Sequence, residues 1–199
     1  MRSIVPRGSA LLAFAAALLA GAAAGQAQPP AATLAACAAC HGPGGNAADG
    51  ALPSLAAQPR VFIENQLVLI RGGLRDVPAM TAVMTGMADS EIVALAQYFS
   101  AQPVTPRAAA PQPDQARLGE QAARRMLCGT CHLSNFQGQA QVPRLAQQNE
   151  DYLRTAMRQF RDAPGPGRDT IMAASLYGVS DAELANLAHF LAHFRSTTP

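Results

Sequence analysis

Two short segments of the chain place two cysteines and a histidine at a spacing that suits one kind of chemistry. Both read C-x-x-C-H, and together they use all four cysteines: Cys37, Cys40 and His41, then Cys128, Cys131 and His132. In this spacing the two thiols can add to the two vinyl groups of one porphyrin, and the histidine that follows can bind the iron. The sequence therefore predicts two covalently bound haem c groups, with His41 and His132 as iron ligands.

Paired cysteines also occur in other sites. They form thioredoxin-like redox centres, zinc sites and, in exported proteins, disulfides. A thioredoxin-like centre needs a βαβ pattern around the motif, and none is visible. The histidine after each pair favours haem thioethers, and thioredoxin-like or zinc chemistry stays as the alternative.

The first 27 residues have the pattern of a secretory signal. Arg2 and Arg7 precede an apolar run at residues 10–20, and small residues follow it. This run is short for a transmembrane span, so we expect residues 1–27 to be a signal peptide and the mature protein to be exported. An uncleaved membrane anchor is the alternative.

The charge of the chain gives no support to a nucleic-acid partner. The sequence has 15 basic residues, all of them arginine, against 13 acidic ones. Removal of the signal peptide takes away two arginines and leaves a formally neutral chain. The remaining arginines are scattered rather than clustered, so we expect no binding to nucleic acid.

The second half of the chain repeats the plan of the first half about 90 residues later. Apolar residues at helical spacing predict longer helices in both halves, over residues 60–71, 89–100, 115–127, 150–161 and 181–194. Loops are expected at residues 72–87 and around Met172, and only a very short helix is expected before Cys37. No segment shows sustained strand alternation, so we expect an all-α fold.

The composition between the halves marks a boundary. Residues 101–114 contain four prolines and several alanines without hydrophobic periodicity, as in a semi-stiff linker. We expect a first domain at residues 28–100, this linker at 101–114, and a second domain at 115–199. Each domain is small for an independent core, and a buried haem would supply the missing apolar volume.

Methionines are the candidates for the second axial ligands. A thioether sulfur opposite the histidine stabilises Fe(II) and raises the potential. Met172 is the only methionine between Met157 and the C-terminus, and Met80 occupies the corresponding place in the first half. We expect Met80 and Met172 to be iron ligands, with Met84 as the alternative in the first half.

Other residues near the motifs have possible supporting roles. Pro53 and Pro143 could each present a carbonyl to the imidazole N–H of the haem histidine, or could shape a loop only. His189 and His193 are expected to be ordinary histidines of the final helix. Four arginines could pair with haem propionates or lie free in solvent: Arg71, Arg75, Arg161 and Arg168.

These features together resemble the cytochrome c4 family, the dihaem members of the class I cytochromes c. The resemblance is carried by the two C-x-x-C-H motifs, the two P-x-L-A segments, the motif Q-L-x-x-I-R-x-G-x-R at residues 66–75 and the stretch at residues 80–98. It implies two tandem class I cytochrome c domains, His/Met ligation of both haem irons, and periplasmic electron transfer toward terminal oxidases.

We therefore expect an electron carrier rather than an enzyme. Its donor would be a quinol-oxidising complex or a dehydrogenase, its acceptor a terminal oxidase, and any membrane association would be loose and through partners. The alternative is a haem-bearing electron-transfer subunit of a periplasmic dehydrogenase. A peroxidase or gas sensor needs an open iron site, and no distal histidine or acid–base pair is obvious near Met80 or Met172.

Overall fold

Helices and loops make up the part of the chain that the structure describes. The computed structural model describes residues 28–106 and 109–195, so the expected signal peptide at residues 1–27 lies outside the described residues. Within these ranges there is no strand, and one isolated β-bridge joins Gln139 and Val142. The expectation of an all-α fold is confirmed.

The helices of the two halves follow the same order. In the first half they are α1 Ala31–His41, α2 Arg60–Arg71, α3 Pro78–Met84 and α4 Asp89–Ser100. In the second half they are α5 Pro113–Arg125, α6 Cys128–His132, α7 Glu150–Asp162, α8 Thr170–Ser175 and α9 Asp181–His193. A short 3₁₀ turn at Pro43–Gly45 follows α1.

Two segments that were expected to be loops contain helices, and that part of the sequence prediction was wrong. In the first half, Pro78 stands at the first position of α3, where its missing N–H costs nothing. In the second half, the Asp169 carboxylate caps α8 by accepting a hydrogen bond from the Met172 amide at 2.8 Å. Both helices are too short for a periodicity signal.

Each half has its own apolar core between its long helices. In the first half α2 packs against α4, and in the second half α7 packs against α9. The residues at the centre of the first core are Ile63, Ile70, Ile92, Leu95 and Phe99, and those of the second are Leu153, Met157, Leu184, Leu187 and Leu191. Burial of such side chains is the main stabilising term in each half.

The helix before the haem motif packs differently in the two halves. In the second half α5 lies directly against α9. The approach is so close that a Cβ at Gly119 would lie 2.1 Å from the backbone oxygen of Asn186, so only glycine fits at this position. In the first half α1 reaches α4 through Thr33, whose hydroxyl donates to Glu91 at 2.6 Å. This contrast agrees with the short helix expected before Cys37.

No single helix among the described residues has both the length and the apolar character needed to cross a bilayer. The pair α3 and α4 meets those criteria only when its two helices are taken together, and it is bent by 119°.

Candidate haem sites

A proline carbonyl holds the histidine of each haem motif. Nδ1 of His41 lies 2.9 Å from the Pro53 oxygen, and Nδ1 of His132 lies 2.9 Å from the Pro143 oxygen. A carbonyl can only accept, so Nδ1 carries the proton and Nε2 keeps its lone pair. Both rings are 6% exposed. Of the two roles that the sequence left open for the prolines, the carbonyl contact to the imidazole is observed. Each histidine presents an Nε2 that can bind a metal.

The loops that carry these prolines are fixed by backbone bonds. In the first half the Gly45 oxygen accepts from the amides of Leu55 at 2.7 Å and Ala56 at 3.1 Å. In the second half the Phe136 oxygen accepts from the amides of residues 145 and 146 at 2.9 and 3.1 Å. Both acceptors have positive φ, 77° at Gly45 and 53° at Phe136. The same turn therefore sets the angle of the histidine ring in both halves.

The cysteines of each motif lie three residues apart on one helix, which places them on the same helix face. Cys37 and Cys128 are half-buried, whereas Cys40 and Cys131 are exposed, and all four are free thiols. Burial raises the pKa of the Cys37 and Cys128 thiols, which disfavours the thiolate that a redox dithiol needs. Two thiols on one face beside a metal-competent imidazole fit covalent attachment of one haem in each half.

The candidate methionine ligands occupy equivalent positions. Met80 is the third residue of α3, and Met172 is the third residue of α8. Both are partly buried at the edge of their cores. Met84 differs, because its side chain is 1% exposed and lies within the first core.

Two of the four arginines that were candidates for a propionate contact, Arg71 and Arg161, form hydrogen bonds within the protein. Arg71 donates to the Met87 oxygen at 2.7 Å and to Asp89 at 2.6 Å. Arg161 makes the equivalent bonds, to the oxygen of residue 179 at 2.6 Å and to Asp181 at 2.7 Å. Arg71 and Arg161 thus each connect the segment that follows the short helix of the candidate methionine ligand, α3 or α8, to the next helix, α4 or α9.

The other two candidates also have protein partners. Arg75 donates to Gln66. Arg168 donates to Gln159 at 3.2 Å and lies over the ring of Phe160. A propionate contact for any of the four stays a prediction.

The histidines of α9 form a separate hydrogen-bonded cluster. The buried His189 ring accepts from the Gln112 amide at Nε2, at 2.9 Å, so its Nδ1 carries the proton and donates to Glu150 at 3.0 Å. His193 donates from Nδ1 to the His189 oxygen at 2.9 Å. These three side chains lie close enough to suggest a metal site, but both nitrogens of His189 are engaged. The cluster fixes the start of α5 to α7 and α9.

Sequence reasoning missed the residues between the two haem sites. Gln58 and Gln148 lie five residues after the prolines that hold the histidines, and both are buried at the contact between the halves. Arg144 is buried beside them. The repeat contains the signal for the two glutamines, since they occupy corresponding positions, but nothing in the sequence marks Arg144 as buried.

Two protein-family models match the chain, one in each half. The model described as cytochrome c matches residues 116–195, and the model described as cytochrome c oxidase, cbb3-type, subunit III matches residues 24–99. With two metal-competent histidines beside paired thiols in a helical fold, these matches define a c-type cytochrome with two haem domains.

Similar proteins show which family of c-type cytochromes the chain belongs to. Cytochrome c4 of Azotobacter vinelandii is 31% identical over 187 residues, covering 85% of this chain and 89% of that protein. The crystal structure of reduced recombinant cytochrome c4 from Pseudomonas stutzeri matches with a TM-score of 0.76 at 26% identity, covering 85% of this chain and all of that one. The chain belongs to the cytochrome c4 family. It is a dihaem electron-transfer protein with two covalently bound haem c groups.

The name of a further relative includes an enzyme, thiosulfate dehydrogenase. The thiosulfate dehydrogenase electron acceptor of Thiomonas intermedia is 30% identical, and the match covers 83% of this chain and 81% of that protein.

Proposed function

We propose that this protein is a periplasmic electron carrier between respiratory-chain partners, with His41 and Met80 as axial ligands of one haem and His132 and Met172 as those of the other. The two haem domains are proposed to comprise residues 28–100 and 115–199, joined by the linker at 101–114. The proposal includes cleavage of the signal peptide at residues 1–27.

One observation carries the ligand assignment. The same three parts recur in both halves: a histidine with Nδ1 bonded to a proline carbonyl, a methionine at the third position of a short helix, and an arginine that ties the end of that segment to the last helix. Because the two halves share all three, a ligand pair that serves one iron should serve the other. This equivalence favours Met80 over the core residue Met84.

The bound haem supplies one-electron exchange between Fe(III) and Fe(II). The chain contributes a fixed imidazole, because the Pro53 and Pro143 carbonyls hold the proton on Nδ1 and increase the basicity of Nε2. Burial of His132 lowers its pKa, which favours the neutral ring that a metal needs. When the haems are bound, Met80 and Met172 would serve as the second ligands of the two irons and would exclude small ligands from them.

Carbon monoxide tests whether both irons are closed. The ferrous protein should show the spectrum of low-spin haem c and should bind carbon monoxide slowly, because a methionine sulfur must first dissociate. Rapid and complete binding at either haem would contradict stable methionine ligation there, and would favour a ligand-binding role such as a sensor or peroxidase.

One comparison favours a second function, that of a haem-bearing subunit of a dehydrogenase. The similarity to the thiosulfate dehydrogenase electron acceptor makes a dedicated dehydrogenase a possible electron donor. In that case the protein would serve as the haem-bearing subunit of a periplasmic dehydrogenase. Purification of the untagged protein from periplasmic extract separates the two functions: a free carrier should elute alone, whereas a subunit should elute with an enzyme in fixed ratio.

A further inference from the structure

Two buried glutamines each accept a hydrogen bond from a backbone amide of the opposite half. Oε1 of Gln148 accepts from the Ser54 amide at 2.7 Å, and Oε1 of Gln58 accepts from the Arg144 amide at 2.9 Å. All four of these residues are buried. Water therefore has little access to either bond, and loss of a glutamine oxygen would leave the amide without its acceptor.

In the first half, the amide that donates to Gln148 belongs to the same peptide group as the carbonyl that holds His41. The Pro53 oxygen accepts from Nδ1 of His41 at 2.9 Å. The other end of that peptide group is the Ser54 N–H, which donates to Oε1 of Gln148. A continuous chain of two hydrogen bonds thus runs from the His41 ring, through one peptide group, to the glutamine.

The second half contains the same chain with the halves exchanged. The Pro143 oxygen accepts from Nδ1 of His132 at 2.9 Å, and the N–H of that peptide group, on Arg144, donates to Oε1 of Gln58. Gln58 lies in the first half and Gln148 lies in the second. Each haem histidine is therefore connected to a glutamine of the half that it does not belong to.

The two hydrogen bonds of such a chain strengthen each other. When the N–H of a peptide group donates to an oxygen, its carbonyl oxygen becomes more negative and accepts more strongly. A stronger acceptor draws the Nδ1 proton of the histidine further away, so Nε2 becomes more basic. A more basic ligand favours Fe(III) over Fe(II) and thereby lowers the midpoint potential.

We propose that Gln58 and Gln148 are crossed positioning residues, each of which lowers the midpoint potential of the haem in the opposite half. Each glutamine acts through the proline carbonyl rather than on the iron. The role rests on the part of the proposed function in which His41 and His132 bind iron, and it does not depend on the methionine ligands. Separation of the two halves would therefore raise both potentials.

Two alanine variants of the holoprotein test the crossed pattern. Gln148→Ala should raise the midpoint potential of the His41 haem and leave the other potential unchanged, whereas Gln58→Ala should do the reverse. A redox titration followed by NMR assigns each potential to its haem. In the ferrous protein, the Nδ1 proton of the affected histidine should also shift upfield, because its hydrogen bond is weaker. Each variant is the matched control for the other, and Gln121→Ala, exposed on α5, should change neither potential.

Gln148→Glu tests whether the oxygen that accepts from Ser54 is the cause. Glutamate in either protonation state keeps an oxygen at this position. The potential of the His41 haem should therefore stay at the wild-type value or fall below it. A rise as large as that in Gln148→Ala would overturn the proposal.

A general opening of the contact between the halves gives a different result. Water admitted there would favour Fe(III), so both potentials would fall in each alanine variant. That result would overturn the proposal, and so would unchanged potentials with only a loss of stability. If the alanine variants do not retain their haems, amide exchange in the wild-type ferrous holoprotein decides. Slow exchange at Ser54 and Arg144 supports the two chains, and exchange at the rate of exposed amides overturns them.

The wild-type holoprotein is characterised first, by its mass and by the NMR signals of its ligand histidines. A chain without two haems, or irons that do not bind His41 and His132, would refute the proposed function. Two haems with these ligands but without the crossed shift would refute the role of the glutamines alone.

Discussion

Gln58 and Gln148 make matching pairs of hydrogen bonds, each with the backbone of one residue in the opposite half. Gln58 donates to the Arg144 oxygen at 3.1 Å and accepts from the Arg144 amide at 2.9 Å. Gln148 donates to the Ser54 oxygen at 2.9 Å and accepts from the Ser54 amide at 2.7 Å. Each glutamine therefore holds the peptide that directly follows the histidine-holding proline of the other half. The contact between the halves is thus continuous with both haem sites.

Loss of Gln148 should weaken this contact. Gln148→Ala removes both bonds to Ser54 and leaves buried backbone groups without partners, so we expect the free energy of unfolding to fall by about 2–4 kcal/mol. Urea unfolding of the holoprotein, followed by circular dichroism and by haem absorbance, measures the change.

The matched control for this experiment is Gln121→Ala, because Gln121 is exposed on α5. It should change the free energy of unfolding by less than about 0.5 kcal/mol. Equal effects of the two substitutions would show that the buried bonds of Gln148 contribute nothing particular.

Substitution of the methionines should separate ligands from core residues. Met80→Ala and Met172→Ala should each remove about half of the far-red charge-transfer band of the ferric protein, because that band reports the iron–thioether bond. Met84→Ala should keep the whole band but lower the free energy of unfolding by about 2–5 kcal/mol, because it leaves a cavity in the first core.

A full band in the double variant Met80→Ala/Met172→Ala would rule out both methionines as ligands. Loss of half the band in Met84→Ala, with Met80→Ala unchanged, would transfer the assignment in the first half to Met84.

The final helix of each half, α4 or α9, has a different N-terminal capping residue, and substitution can exchange the two residue types. Ser180 and Glu183 form a capping box at the start of α9, whereas Ala88 precedes α4 with nearly the same backbone angles and no side-chain cap. Ser180→Ala should lower the free energy of unfolding of the second half by about 1 kcal/mol, and Ala88→Ser should raise that of the first half by about 0.5–1 kcal/mol. Thermal unfolding of the holoproteins checks both signs, and a loss of stability in Ala88→Ser would contradict the shared geometry.

Asp181 should contribute to the acid sensitivity of the second half. A hydrogen bond from Arg161 and another from Arg158 hold the pKa of Asp181 below its ordinary value of 3.8. A lowered pKa in the folded state gives stability that is fully present above the ordinary value and is lost as the pH falls through the folded value. Asp181→Asn should therefore flatten the decline in the free energy of unfolding below about pH 4.

Arg161→Gln provides the reciprocal test, because it removes the principal partner of Asp181 and should flatten the same part of the curve. A decline as steep in both variants as in the wild type would assign the acid sensitivity to other groups.

The sequence was sufficient where a function depends on neighbours in the chain. The C-x-x-C-H motifs identified Cys37 and His41 as parts of one haem site, and the structure places both on α1. The carbonyl contact to His41, one of the two roles that the sequence left open for Pro53, is present at 2.9 Å. The sequence was insufficient where the function depends on packing between distant segments. The burial of Arg144 and its bond to the Ala56 oxygen arise only when the halves meet. The periodicity of a sequence within one helix contains no information on such a contact.

The most direct test of the account is the intact mass of the exported protein, with tandem mass spectrometry of its peptides. We predict a chain that has lost residues 1–27 and gained two haem groups, with one haem on the peptide of Cys37 and Cys40 and one on the peptide of Cys128 and Cys131. Unmodified cysteines, disulfides or a single haem would contradict the central claim that each half encloses its own covalently attached haem.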